Sequence, residues 1–208
     1  MPRASTRGKG DSNTGAGTDQ PRLFIGISPD APTQHFLEGL VIHARQLLSS
    51  GRERPRWTSP SNRHLTLAFL GETPPELIPA IERGLMQMAQ GARPCSGRIV
   101  SLGPFPKPRA RLLAAELVSN PDLDRLHSGC RELMRDLGMK PESAAFRPHF
   151  TLGRNRHGLG PFPPLQLDYV ARLDNLVLYR SEMAPGGSQY TPLFEALLGG
   201  PEENPART

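Results

Sequence analysis

Cysteine is nearly absent from this chain. Its 208 residues hold only Cys95 and Cys130, far apart and without Cys-x-x-Cys spacing, which argues against a disulfide framework, a zinc knuckle and a dithiol redox centre. Both thiols are read as reduced and structural, Cys130 because it falls on the apolar stripe of an expected helix. No apolar run approaches the roughly eighteen residues that cross a bilayer, so no membrane association is expected. P-loop, Rossmann and zinc-site patterns are also missing, which leaves no motif for a nucleotide cofactor or a metal. The first twenty residues are small, polar and Gly-rich, with no hydrophobic segment of a secretory signal. They and residues 199–208 read as loose tails around one unit at 21–198, and the protein is expected in the cytoplasm.

Glycine and proline are plentiful instead, at 21 and 23 residues, so turns are frequent and elements short. A net charge of +5 favours an anionic partner, although charge alone selects none. With 37% hydrophobic residues the chain can bury a core.

Two tetrapeptides stand out: His64-Leu-Thr-Leu67 and His149-Phe-Thr-Leu152. In a strand, residues i and i+2 share a face about 7 Å apart, so each copy presents an imidazole and a hydroxyl together while its apolar residues point inward. A lone strand histidine is more often a core or edge residue. Two in matching apolar settings read as the proton donor and acceptor of a displacement at phosphorus.

Around them the pattern predicts an α+β fold with antiparallel pairing. Strands are expected at 23–27, 64–70, 97–102, 111–118, 149–154, 173–181 and 190–198. Helices are expected at 31–49, from a capping box at Thr73–Glu76, and from Asn120-Pro121 to Gly138. Arg154 differs in parity from His149, so it must sit past the strand end or beyond a bend at Gly153 to offer its guanidinium to a phosphate. Phe24 and Tyr190 are candidate stacking rings for a base, with a core Phe and an edge Tyr as the plainer alternative. His35, His43 and His127 read as exposed helix positions, and His157 as a solvated loop residue.

The sequence resembles the two-histidine phosphoesterases, and within them the LigT-type RNA 2′,3′-cyclic phosphodiesterases, or 2′–5′ RNA ligases. The resemblance runs over roughly 22–197 through Arg22-Leu-Phe24, Asn62-Arg-His-Leu-Thr-Leu-Ala-Phe-Leu-Gly-Glu72, Gly103-Pro-Phe-Pro106, Arg147-Pro-His-Phe-Thr-Leu-Gly-Arg154, Leu178-Tyr-Arg-Ser181, Gly187, Tyr190 and Leu193. It implies a bilobal fold in which two antiparallel sheets line a central cleft and helices pack outside. It also implies hydrolysis of an RNA 2′,3′-cyclic phosphate end to a 2′-phosphomonoester without cofactor or metal, with a weak 2′–5′ ligation beside it. His64 would be the proton donor, His149 the proton acceptor, and Thr66 and Thr151 phosphate donors. Apart from the resemblance, a monomer with no obligate protein partner is expected. Arg63, where relatives often carry an apolar residue, and Ala114-Ala115-Glu116 depart from the family pattern at places that bear on substrate preference. A module that holds a nucleotide or RNA end in the same cleft without turnover is the competing expectation.

Overall fold

The computed structural model describes residues 20–48, 55–159 and 161–199. The tails expected at 1–20 and 199–208 fall outside these, apart from Gln20 and Gly199.

Among the described residues, nine strands and three α-helices follow one another along the chain. They are β1 (Arg22–Ile27), α1 (Ala31–Leu47), β2 (Arg56–Trp57), β3 (Leu65–Glu72), α2 (Ile78–Gly91), β4 (Cys95–Phe105), β5 (Leu112–Val118), α3 (Pro121–Asp136), β6 (His149–Arg154), β7 (Leu165–Leu173), β8 (Asn175–Ala184) and β9 (Gly187–Leu197). The starts of α1 and α3 are built by side chains that accept backbone N–H groups: Asp30 takes Thr33 N, and Asn120 takes Asp122 N and Leu123 N, each ahead of a proline in the first turn. Gly138, with φ 74°, lies just beyond α3 in the left-handed conformation that favours glycine.

All strand pairs are antiparallel, in the order β7-β4-β5-β6-β3-β1-β8-β9, with β2 added to β6. Two four-stranded halves, β7-β4-β5-β6 and β3-β1-β8-β9, thus form one continuous curled sheet. They meet at a single register pair, Leu65 with Phe150. The halves interleave in sequence, because β8 and β9 return from the C-terminal part of the chain to pair beside β1. The helices also cross over: Phe36 of α1 stacks on Tyr169 of β7 with ring centroids 3.9 Å apart. Leu65, Leu67, Phe150 and Leu152 are buried in the core beneath the helices together with Leu37, Ile81, Leu85, Leu123 and Cys130.

Several expectations are corrected. Thr73 caps no helix: it is fully buried, and its hydroxyl donates to the Gly71 carbonyl, so α2 starts at Ile78 after a 3-10 turn at Pro75–Leu77. Helix α1 ends at Leu47, two residues short of the expected boundary, and residue 49 lies outside the described part. No strand is expected between Arg154 and Leu173, yet β7 forms there because Leu165-Gln-Leu-Asp-Tyr-Val-Ala-Arg-Leu173 alternates, with its apolar residues the more buried set as far as Tyr169. Arg63 does not reach the cleft. It shares parity with Leu65, points to the core side at 3% exposure, and pairs with Glu38 of α1.

Phe150 is fully buried at the junction of the two halves. Phe150→Ala is expected to lower unfolding stability by about 3–5 kcal/mol in chemical denaturation, against about 0.5 kcal/mol or less for Val118→Ala on the exposed end of β5.

Candidate active site

The Leu65–Phe150 pair places the two motifs against each other. Carrying the antiparallel register one residue either way sets His64 opposite Thr151 and Thr66 opposite His149, on the face away from the core. The cavities follow that crossing: His64 and Thr151 line one of about 190 Å³, and Thr66 and His149 line another of about 440 Å³. Each histidine therefore lies beside the other motif's threonine. Gly26 permits the close approach of β1, because a Cβ there would lie 2.7 Å from the Leu65 carbonyl oxygen.

Both rings are held in the same way. His64 Nδ1 lies 2.8 Å from the Asn62 carbonyl oxygen and His149 Nδ1 lies 2.7 Å from the Arg147 carbonyl oxygen, each two residues upstream. A carbonyl only accepts, so Nδ1–H donates and Nε2 is left as the nitrogen that exchanges protons. Asn62 is itself tied to β9, since its Nδ2 donates to the Ser188 carbonyl (2.8 Å) and its Oδ1 accepts Tyr190 N–H (3.2 Å). Arg147 donates to Pro106 O (2.9 Å) and Glu116 (2.8 Å) and lies over the Phe105 ring at 4.6 Å. Phe105 in turn stacks on His149 with centroids 4.1 Å apart.

Phe24 is corrected from base platform to support. At 2% exposure it has no free face for a base, being stacked on Tyr179 (4.8 Å) and packed against His64 (4.6 Å) and Tyr190 (5.0 Å, edge-on). Tyr190 meets His64 edge-on at 5.0 Å and lines its cavity. The parity problem of Arg154 is resolved by a bulge. Ala114 pairs with Thr151 and Leu113 with Gly153, so Leu152 is the extra residue, and Arg154 returns to the face of Thr151 and His149. It lines the cavity of His64 and Thr151.

Asn62, Phe105 and Arg147 are not singled out from sequence as parts of the site, and Glu116 is noted there only within a departure from the family pattern. Glu116 pairs across β5 and β6 with His149, a relation visible only in the register.

Burial pulls the His64 pKa down to about 4, with His149 and Arg154 adding to the fall and the Asn62 carbonyl opposing it. Burial also lowers His149, against the raising influence of the Arg147 carbonyl and the Glu116 carboxylate, while Arg154 and Arg147 push it further down. Both rings are thus neutral at pH 7 in the free protein. The unfolded chain binds more protons than the fold between about pH 4 and the ordinary histidine value of 6.5, so stability rises with pH in that window and is lost on acidification. Denaturant midpoints are expected to fall from pH 7.5 to pH 4.5, with at most about 3 kcal/mol of the loss due to His64. The loss should shrink in His64→Gln; an equal loss in that variant contradicts the assignment.

The family described as the 2'-5' RNA ligase superfamily matches residues 30–178. An RNA 2',3'-cyclic phosphodiesterase of Bacillus subtilis is 30% identical over 152 residues, 69% of this chain and 76% of that protein. One of Geobacillus stearothermophilus is 29% identical over 158 residues, 70% of this chain, and the match spans only 49% of its length. Among solved structures, TT0787 of Thermus thermophilus superposes with a TM-score of 0.75 at 26% identity, over 86% of this chain and 99% of that one. With the matched segment covering most of the chain and the fold shared, the protein belongs to the 2′–5′ RNA ligase superfamily.

Proposed function

We propose that the protein hydrolyses RNA 2′,3′-cyclic phosphodiester ends to 2′-phosphomonoesters, by acid–base catalysis between His64 and His149. The observation that carries this reading is the Leu65–Phe150 register, which gathers two imidazoles and two hydroxyls from distant segments onto one face. The names of the relatives agree with it.

A cyclic phosphodiester is opened by water attacking phosphorus as the bond to the 3′-oxygen breaks. His149 Nε2 takes the proton of the attacking water, and His64 Nε2–H gives one to the departing 3′-oxygen. Thr66 and Thr151 donate to the non-bridging oxygens, and Arg154 supplies the cation that faces them. Proton exchange with solvent restores the starting state. In the free site His64 is neutral at pH 7, so its proton arrives with the anionic substrate, whose charge raises both imidazoles. Glu116 favours a proton on His149 in the free site, the reverse of this direction, so the substrate's position between the rings decides the polarity. An RNA 5′-hydroxyl in place of water would yield a 2′–5′ linkage by the same displacement. Among the described residues no group of three His, Cys, Asp or Glu side chains is placed to hold a metal ion.

The basic surface beside the site supports RNA over a small cyclic phosphate. Arg56, Arg111, Arg154 and Arg156 line one open cleft of about 680 Å³, and Arg56 and Arg154 continue into the cavity of His64. Other arginines, such as Arg63, Arg98, Arg147 and Arg172, have carboxylate partners, whereas Arg56, Arg111, Arg154 and Arg156 form no ion pair among the described residues. Clustered cations without counter-charges suit a phosphate backbone.

His64→Ala and His149→Ala are expected to lower turnover of an RNA with a 2′,3′-cyclic end by at least about 100-fold each, while EDTA leaves wild-type turnover unchanged. A substrate with sulfur at the bridging 3′ position needs no acid, so it should restore His64→Ala and not His149→Ala; the opposite rescue reverses the two roles. Tight binding of the cyclic end with no product would replace catalysis with the binding-module reading. For an oligonucleotide substrate, log kcat/KM should fall with log salt, and Arg156→Gln should flatten that slope by roughly one unit. An unchanged slope removes Arg156 from the RNA path.

A further inference from the structure

The two imidazoles share one kind of anchor and differ in what fixes it. Asn62, whose carbonyl accepts the His64 Nδ1–H, is held to β9 by two neutral hydrogen bonds. Arg147, whose carbonyl accepts the His149 Nδ1–H, is held by charge: its guanidinium donates to the Pro106 carbonyl at 2.9 Å and to the Glu116 carboxylate at 2.8 Å. The same guanidinium lies over the Phe105 ring at 4.6 Å, and Phe105 stacks on His149 at 4.1 Å. Arg147 thus grips the imidazole twice, through its own backbone and through Phe105 at the end of β4. Glu116 decides where that guanidinium sits. It stands in β5 directly opposite His149, on the site face between the buried Ala115 and Leu117. Its side chain is 34% exposed, so the ion pair with Arg147 is partly screened and adds little to stability. Its effect falls on the ring.

The other charged or titratable groups around His149 come from several elements. Arg154 lies at the end of its own strand, and His64 stands just ahead of β3. Across the 440 Å³ cavity, which the half-exposed Phe69 also lines, are His127 and Arg131 of α3 and Glu142. His127 is turned to the Leu67 carbonyl, to which its Nδ1–H donates at 2.8 Å. Among the described residues, Glu116 is the one carboxylate bonded to a group that holds the imidazole.

We propose that Glu116 is a positioning residue for the base: it fixes the Arg147 guanidinium, and through Arg147 and Phe105 the plane of the His149 ring, while its charge balances the cation beside that ring. This role rests on the cyclic-phosphate reading of the site for the direction of proton transfer. A general base must be neutral before the transfer and hold the proton after it. Burial secures the first condition for His149, and the Glu116 carboxylate, which favours the charged ring, serves the second. When Nε2 takes the proton of water, the imidazolium that forms meets a carboxylate across the strand pair. Without Glu116 the guanidinium keeps only the Pro106 carbonyl, and an unbalanced cation faces the ring as it charges. His64, which gives its proton away, has no such carboxylate: the groups that act on it are the Asn62 carbonyl, His149 and Arg154.

Histidine titrations followed by NMR on the free protein separate this role from the reaction, with His149→Gln identifying the signal. Glu116→Gln keeps an oxygen for Arg147 and loses the charge. Its His149 ring should titrate at lower pH than in the wild type, while His64 stays in place. Turnover of an RNA with a 2′,3′-cyclic end should fall about 10- to 100-fold in kcat, part of what a positioned base contributes, with KM within about two-fold of the wild type. The acidic limb of the rate profile should move to lower pH with it. Glu116→Asp restores the charge and should recover part of both the titration and the rate, whereas Glu116→Ala should lose more than Glu116→Gln because it also releases Arg147. An unchanged His149 titration in Glu116→Gln, an equal shift of His64, or wild-type kcat in that variant overturns the proposal. A selective His149 shift in a protein that yields no product retains the link from Glu116 to the ring and refutes hydrolysis. Hydrolysis by the wild type, with titration and kcat unchanged in Glu116→Gln and Glu116→Ala, refutes the positioning role alone.

Discussion

One backbone pairing holds the site together. Among the described residues, Leu65 and Phe150 are the one pair through which β3 and β6 are in register, and through them the two halves of the sheet become one. Both side chains are fully buried, which directs the flanking His and Thr of each motif to the opposite face. A slip of one residue in either strand would bury an imidazole and expose an aliphatic side chain. The core contacts that oppose such a slip are therefore the same contacts that align the polar groups, and stability and site geometry share a cause. The single-pair junction also lets the strands splay on either side, which opens separate cavities beside Thr151 and Thr66 instead of a closed sheet face.

The two rings reach similar environments by different means. Each donates Nδ1–H to the carbonyl two residues before it, so the exchangeable nitrogen is the same in both. His64 is packed among Phe24, Tyr179 and Tyr190, and His149 against Phe105 with Arg147 and Glu116 nearby. Burial keeps both neutral and Arg154 reinforces this, so the cleft in its free state is a place where a proton is unwelcome and an anion is favoured. An entering phosphate changes that balance for both rings at once. Glu116 makes them unequal, and it stands at a position where this chain departs from the family pattern.

The repeated motifs, their parity and the apolar stripes of α1 and α3 were legible in the sequence because they are local: a two-residue period and a capping side chain need no distant partner. Thr73 shows where local rules stop. Its spacing to Glu76 fits a capping box, but the hydroxyl is drawn to the Gly71 carbonyl in a buried turn, and the helix begins later. Arg63 and His127 illustrate the same limit for side chains. Arg63 reads from sequence as a departure from the family pattern that bears on substrate preference, and His127 as an exposed helix position, while Glu38 and the Leu67 carbonyl, both distant in sequence, decide where they go.

By itself the sequence determined that the fold mixes helices with antiparallel strands, that two His-Thr strands present their polar groups on one face each, and that the chain resembles a two-histidine family. These follow from periodicity and short motifs. Only the tertiary structure decided that the halves interleave and join at one pair, that a bulge at Leu152 returns Arg154 to the site face, that Phe24 is a buried support, and that Phe69 is the ring left open to the cleft. Each of these depends on register between strands far apart in the chain, and register is set by which apolar side chains fill the shared core together.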